Sequence, residues 1–257
     1  MTDDFEKTDD VNYDEARMSF LDHLEELRWR IIKSAIGVVI GSIICGIFIK
    51  WIMNYFLLAP AKNTNPPLVL INLKPYGQLV LYMEVIIVGG IIISIPNIFY
   101  QFWKFIQPGL LPSERHYVWS IVFFTSLCFL CGAAFSYYII LPTALKFFAA
   151  FGTVEITNNI AINEYFSFIL SVIITAGIVF ELPMVSYFLS RLGLMTPAFM
   201  KKYRRHAIVV ILIIAGIITP GPDVTSQILL SLPLFLLYEI SIIISRIAQK
   251  QRLKKSN

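Results

Sequence analysis

Charge is what this chain has least of. Only 15% of its 257 residues are Asp, Glu, Lys or Arg, against 57% hydrophobic, where an average soluble domain carries roughly a quarter charged. A chain so poor in polar surface cannot cover an apolar core in water. It reads as an integral membrane protein. Cysteine is also scarce: Cys45, Cys128 and Cys131 are the full complement. The Cys128-x-x-Cys131 pair has no further Cys or His close in sequence, so small packing residues are a better reading than a redox or zinc pair. No H-E-x-x-H and no Gly-x-Ser-x-Gly is present, which removes the visible apparatus of zinc and serine hydrolases. His23, His116 and His206 all sit at the edges of apolar runs. Enzyme chemistry has no foothold, and no cofactor or metal is expected.

What is there is a series of long apolar stretches. They fall at about residues 31–49, 79–103, 117–141, 165–190, 207–219 and 228–244. A helix needs about 20 residues to cross a hydrocarbon core of roughly 30 Å. The first four are long enough. The last two are short, separated only by TPGPDVTSQ, and read either as stubby spans or as a re-entrant hairpin. Helices are expected throughout, since an unpaired strand edge does not survive in lipid. With six spans, seventeen Lys and Arg fall on the side of both termini and four (Lys50, Lys62, Lys74, Lys146) on the other. That asymmetry places the N and C termini in the cytoplasm. The net charge of +4 therefore describes topology and does not point to nucleic acid.

Residues 1–18 are acidic and lack an apolar h-region, so they read as a solvated cytoplasmic tail and not a secretory signal. Residues 19–246 form one membrane domain, and 247–257 a basic cytoplasmic tail. No tandem repeat appears. Ser19 and Asp22 match a capping pattern that starts a helix near residue 20. In FLDHLEELRWR, Phe20, Leu24, Leu27 and Ile31 share one helical stripe, while Asp22, Glu26 and Arg30 share another. Further along, Gly37, Gly41 and Cys45 recur every four residues, a strip for close helix packing. Pro96, Pro183 and Pro233 lie inside apolar runs, where kinks are expected. Four prolines in 60–75 imply a structured cap between the first two spans.

Three acids interrupt apolar runs: Glu84, Glu181 and Glu239. A lone charge there costs several kcal/mol, so such residues face a bundle interior or a wet cavity. Glu84 and Glu239 lie near span ends and are explained by a neighbouring partner; Glu181, beside Pro183, is the stronger functional candidate. Asp223 can cap the last helix. Arg204-Arg205 reads as a positive-inside anchor and not an export signal. Glu26 and Glu114 differ from the embedded acids in belonging to the cytoplasmic rim. Each has a plain explanation, an i, i+4 pair with Arg30 for Glu26 and a solvated loop acid for Glu114. The sharper one is a receptor for guanidinium groups, which carboxylates bind with strength and geometry.

SFLDHLEELRWR, FYQFWKFIQPGLLPSER, FELP, KYRRHAIVVILIIAGIITPGPDVTSQ and LPLFLLYEISIIISR together resemble the TatC family, the receptor core of the twin-arginine protein translocase. The resemblance covers about residues 19–246 in order. It implies six transmembrane helices in a cupped, glove-like bundle, with helices 5 and 6 as short true spans. It also implies recognition of the Arg-Arg signal peptides of folded precursors, and assembly with the single-span partners TatA and TatB. Transport would be driven by the proton-motive force across a bacterial inner membrane. On this resemblance the signal-peptide site falls on Glu26 and Glu114, with Arg28, Phe105, Pro108 and Leu110 beside them. Glu181 matches an embedded acid associated with a partner helix, and Pro60 and Asp223 match outer-loop positions. Many relatives carry a basic residue near Glu84, so no role is carried over to it; Gly221 in TPGPD is a minor variation. The competing reading from hydropathy alone is an ion-coupled small-solute transporter using Glu181 and Glu84 as a relay. Internal repeats are frequent in such folds and absent here.

Overall fold

The structure, a computed structural model, describes residues 20–65, 67–107, 118–150, 159–218 and 224–256. Pro108, Leu110, Glu114, Gly221, Asp223 and the N-terminal tail lie outside the described residues. Twelve helices and one two-stranded sheet are described: α1 (Phe20–Ile47), α2 (Ile49–Trp51), α3 (Ala59–Lys62), β1 (Val69–Ile71), α4 (Gly77–Ile93), α5 (Ile95–Ile106), α6 (Val118–Phe135), α7 (Leu141–Ala150), β2 (Asn159–Ala161), α8 (Ile162–Val179), α9 (Leu182–Leu192), α10 (Pro197–Lys202), α11 (Arg204–Ile218) and α12 (Val224–Ser256). π-helical turns join α2 to α3 (Ile52–Leu57) and α6 to α7 (Ser136–Ile140).

Among the described residues α1 is helical from Phe20, and the capping residue Ser19 lies outside them. By length and apolarity, Asp22–Ile47, Val118–Ala149, Ile162–Leu192 and Ser231–Arg252 can each cross a membrane, and α4 with α5 forms a fifth, bent candidate. The fifth apolar run falls on α11, described over Arg204–Ile218. The sixth is a short apolar run on a long helix, because α12 continues through the basic end of the chain to Ser256.

Proline acts where it meets the first turn of a following helix. Pro96 stands just inside α5, and α4 and α5 meet at Ser94 with a 54° bend. Pro183 stands just inside α9, and the α8–α9 break falls at Phe180 and Glu181. Proline has no N–H for the preceding carbonyls, so the upstream helix closes early. Pro233, in contrast, sits inside the uninterrupted α12.

α8 is the central helix. Its Tyr165, Phe166, Phe168, Ile169, Leu170, Val172, Ile173 and Ala176 form the middle of the main core with residues of α4, α7 and the cap. α1 is peripheral: 11% of its apolar window is buried, against 56% for the α8–α9 pair. It runs antiparallel to α4 and α5 and packs through its strip of small residues. Cβ atoms placed on Gly41 and Gly90 would lie 2.6 Å from Gly90 O and 2.8 Å from Ser42 Cα. Cys45 Sγ donates to Val85 O at 3.6 Å. The three cysteines are free thiols.

At the far end of α1 a cap closes the bundle. Phe56 stacks on Tyr137 at 3.9 Å, and the Tyr137 hydroxyl donates to Phe56 O. The buried Tyr165 hydroxyl donates to Leu57 O (2.9 Å) and accepts from the Ala61 amide (3.1 Å). β1 pairs in parallel with β2, bringing residues 69–71 against 159–161. Proline and aromatic residues thus build a structured cap.

Candidate functional site

The end of α1 opposite the cap brings the rim residues together. In sequence Phe20, Leu24, Leu27 and Ile31 share one helical stripe of α1, and Asp22, Glu26 and Arg30 another. Leu24 and Ile31 of the first are exposed, at 45% and 59%, while Glu26 and Arg30 of the second are mostly covered. Membrane proteins can adopt this arrangement because the surrounding lipid accepts apolar side chains, while polar groups need partners inside.

Four rungs connect α1 to α5. His23 stacks on Phe105 at 4.3 Å with the rings 19° apart. Arg30 Nη1 donates to Gln101 Oε1 (3.2 Å). Asn97 Nδ2 donates to the carbonyl of Lys33 (3.2 Å), and Ser94 Oγ donates to the carbonyl of Gly37 (2.6 Å). Gln101 and Asn97 are themselves joined, Nε2 to Oδ1, at 3.4 Å. Glu26 lies between the first two rungs along α1. Its Oε1 accepts from Arg30 Nη2 (2.8 Å) and Nε (3.3 Å). The i, i+4 pair foreseen in the sequence is therefore formed, with both side chains mostly covered. Glu26 Oε2 is buried and has no hydrogen-bond partner among the described residues. A charged oxygen in that state is an acceptor awaiting a donor.

The other candidates lie elsewhere. Arg28 is exposed on α1. Pro60 is buried in α3, next to the Ala61 amide held by Tyr165. Glu181 is buried at the α8–α9 break, and its Oε1 has no partner among the described residues. Glu239 pairs with Arg204 at 2.6 Å, and Glu84 accepts from Ser167 at 3.1 Å. Both therefore have the neighbouring partner expected of them. Ser167, the partner of Glu84, lies fourteen residues before Glu181 in sequence, about 21 Å at a helical rise. Glu84 and Glu181 are too far apart to exchange a proton directly. Among the described residues no group of three or more His, Cys, Asp and Glu could hold a metal ion.

Asn97 and Gln101 were not singled out in the sequence, and His23 was noted only for its place at the edge of an apolar run. Asn97 and Gln101 left a trace there, as two polar residues four apart in an otherwise apolar and aromatic run.

A bundle of apolar helices, several of them long enough to cross a bilayer, belongs to the class of polytopic helical membrane proteins. The sequence matches the family model for Sec-independent protein translocase protein (TatC) over residues 22–233. It is 38% identical over 237 residues to a Sec-independent protein translocase protein TatC from Aquifex aeolicus, covering 91% of this chain and 98% of that one. It is 42% identical over 224 residues to the TatC of Helicobacter pylori strain 26695, covering 87% and 86%. A crystal structure of a twin arginine translocase receptor, TatC, superposes with a TM-score of 0.79 at 39% identity, covering 88% of this chain and 99% of that chain. This chain belongs to the TatC family. It is a membrane component of the Sec-independent protein translocase, a transport family and not an enzyme family.

Proposed function

We propose that this chain is the signal-peptide receptor of a twin-arginine translocase. In this reading the Arg-Arg motif of a folded precursor docks at the cytoplasmic rim on Glu26 and Glu114, with Arg28, Phe105, Pro108 and Leu110 around it. The observation that carries the reading is the Glu26 carboxylate, half engaged by Arg30 and otherwise covered but without a donor on Oε2. Guanidinium is the cation best shaped to complete such a carboxylate. After docking, the apolar part of the signal peptide moves into the concave face of the bundle. TatA and TatB assemble beside it, with Glu181 as the polar contact for a partner helix, and the proton-motive force drives export. Pro60 supports this cycle by holding the outer cap, and Asp223 from the neighbouring outer turn. The protein works in a bacterial inner membrane with both termini cytoplasmic.

An in-vivo export assay with a twin-arginine reporter tests the assignment. The Glu26→Ala, Glu114→Ala double variant is expected to lose export while still inserting in the membrane. Export at the unmodified rate would sink it.

A further inference from the structure

Arg30 makes more contacts than an orientation charge or a surface pair requires. Its guanidinium is spent in two directions: Nε and Nη2 both go to Glu26 Oε1, and Nη1 goes to Gln101 Oε1 on α5. Gln101 is 8% exposed and in turn donates to Asn97, whose amide donates to the backbone of Lys33 on α1. The chain of bonds therefore leaves α1 at Arg30, crosses to α5, and returns to α1 about one turn further on. It is anchored at both ends, so Arg30 has little freedom to move away.

A bidentate arginine normally places one N–H on each carboxylate oxygen. Here Nε and Nη2 converge on one oxygen, while Nη1 is engaged by Gln101. The result is a carboxylate with one oxygen doubly occupied and the other, Oε2, covered and without a partner among the described residues. Leaving a buried acceptor empty costs about 1–3 kcal/mol, and more when it is charged. A donor supplied by a ligand recovers that cost.

We propose that Arg30, held by Gln101, is a positioning residue for signal recognition: it turns Glu26 so that Oε1 is taken internally and Oε2 alone is offered to the incoming guanidinium. The proposal rests on the reading of Glu26 as a signal-peptide acceptor. It makes Arg30 a fixed part of the receptor and not a placeholder that the signal arginine displaces. It also extends the receptor to Gln101 and Asn97, which hold the clamp from α5.

The test is a double-mutant cycle on the full-length protein in lipid nanodiscs, reading the affinity of a fluorescent twin-arginine signal peptide, with a Lys-Lys peptide as control. Arg30→Gln is expected to weaken binding roughly tenfold and Gln101→Met about threefold, since a factor of ten corresponds to one charge-assisted hydrogen bond. Arg30→Lys, which keeps the charge and loses the fork, falls between Arg30→Gln and the unmodified protein. Combined with Glu26→Gln, neither Arg30→Gln nor Gln101→Met weakens binding further, because each acts only through that carboxylate. If Arg30→Gln fails to fold, Arg30→Lys and Gln101→Met carry the cycle. Tighter binding by Arg30→Gln would make Arg30 a competitor and overturn the proposal, as would losses that add to that of Glu26→Gln. If Glu26→Gln alone leaves affinity unchanged, the receptor reading itself falls, and the positioning role with it.

Discussion

At the scale of single residues, the side chains that matter are those whose polar atoms are almost satisfied. Tyr165 is a fully satisfied case: its hydroxyl ties Leu57 O and the Ala61 amide together under the cap. Tyr165→Phe leaves both backbone groups without that partner, and each lost bond is worth about 1 kcal/mol. The expected outcome is a lower unfolding midpoint for the purified protein, by a few degrees, with signal-peptide affinity at the rim unchanged. Thermal unfolding followed by tryptophan fluorescence checks it. Glu181 is the opposite case, buried at a helix break with Oε1 open. Glu181→Gln keeps the size of the group and removes its capacity to carry a costly buried charge. It is expected to fold at least as well as the unmodified chain and to lose crosslinking to a partner helix. Unchanged crosslinking would remove Glu181 from the partner contact.

At the scale of elements, local chemistry was legible and cross-helix register was not. The Gly37–Gly41–Cys45 strip and the breaks near Pro96 and Pro183 each depend on residues within one or two turns of each other, and each was readable in advance. Pro233 lies inside α12 without interrupting it, since whether a helix absorbs a proline depends on what its neighbours offer the freed carbonyls. The π-helical turn at Ser136–Ile140 left no sequence signal. The Arg30–Gln101 bond joins residues 71 apart, and only the antiparallel register of α1 on α5 brings them together. The same holds for β1 and β2, which pair across some ninety residues. Glycines on α1 give a test within one element. A Cβ on Gly41 would lie 2.6 Å from a backbone carbonyl, whereas one on Gly46 meets only the Ile86 side chain at 3.7 Å. Gly41→Leu is therefore expected to separate α1 from α4 and abolish recovery of monodisperse protein, while Gly46→Ala folds normally. Size-exclusion profiles of the two variants decide it.

At the scale of the whole molecule, the bundle has two unlike ends. One is sealed by aromatic stacking and a small parallel sheet; the other carries the α1–α5 rim and an incompletely bonded carboxylate. In the topology proposed from the basic residues the rim faces the cytoplasm. With the native cysteines replaced by serine, Asn63→Cys in the cap is expected to react with an impermeant maleimide added outside the cell, and Lys250→Cys only after lysis. The reverse pattern would invert the topology and leave the rim facing away from newly made precursors. The polar groups inside the bundle also bear on the solute-transport alternative. Glu84 and Glu181 belong to separate neighbourhoods, so the protein alone in liposomes is expected to show no proton-coupled solute uptake.

The central claim is that Glu26 contacts the arginine pair of a signal peptide. Site-specific photocrosslinking reads this most directly, with a photoreactive residue placed at position 26 and, separately, at exposed position 39 on the lipid-facing side of α1. A twin-arginine precursor should crosslink from position 26 and not from 39, and the crosslink should disappear when both arginines of the precursor are replaced by lysine. Equal crosslinking from the two positions, or a crosslink at 26 that survives that replacement, would contradict the account.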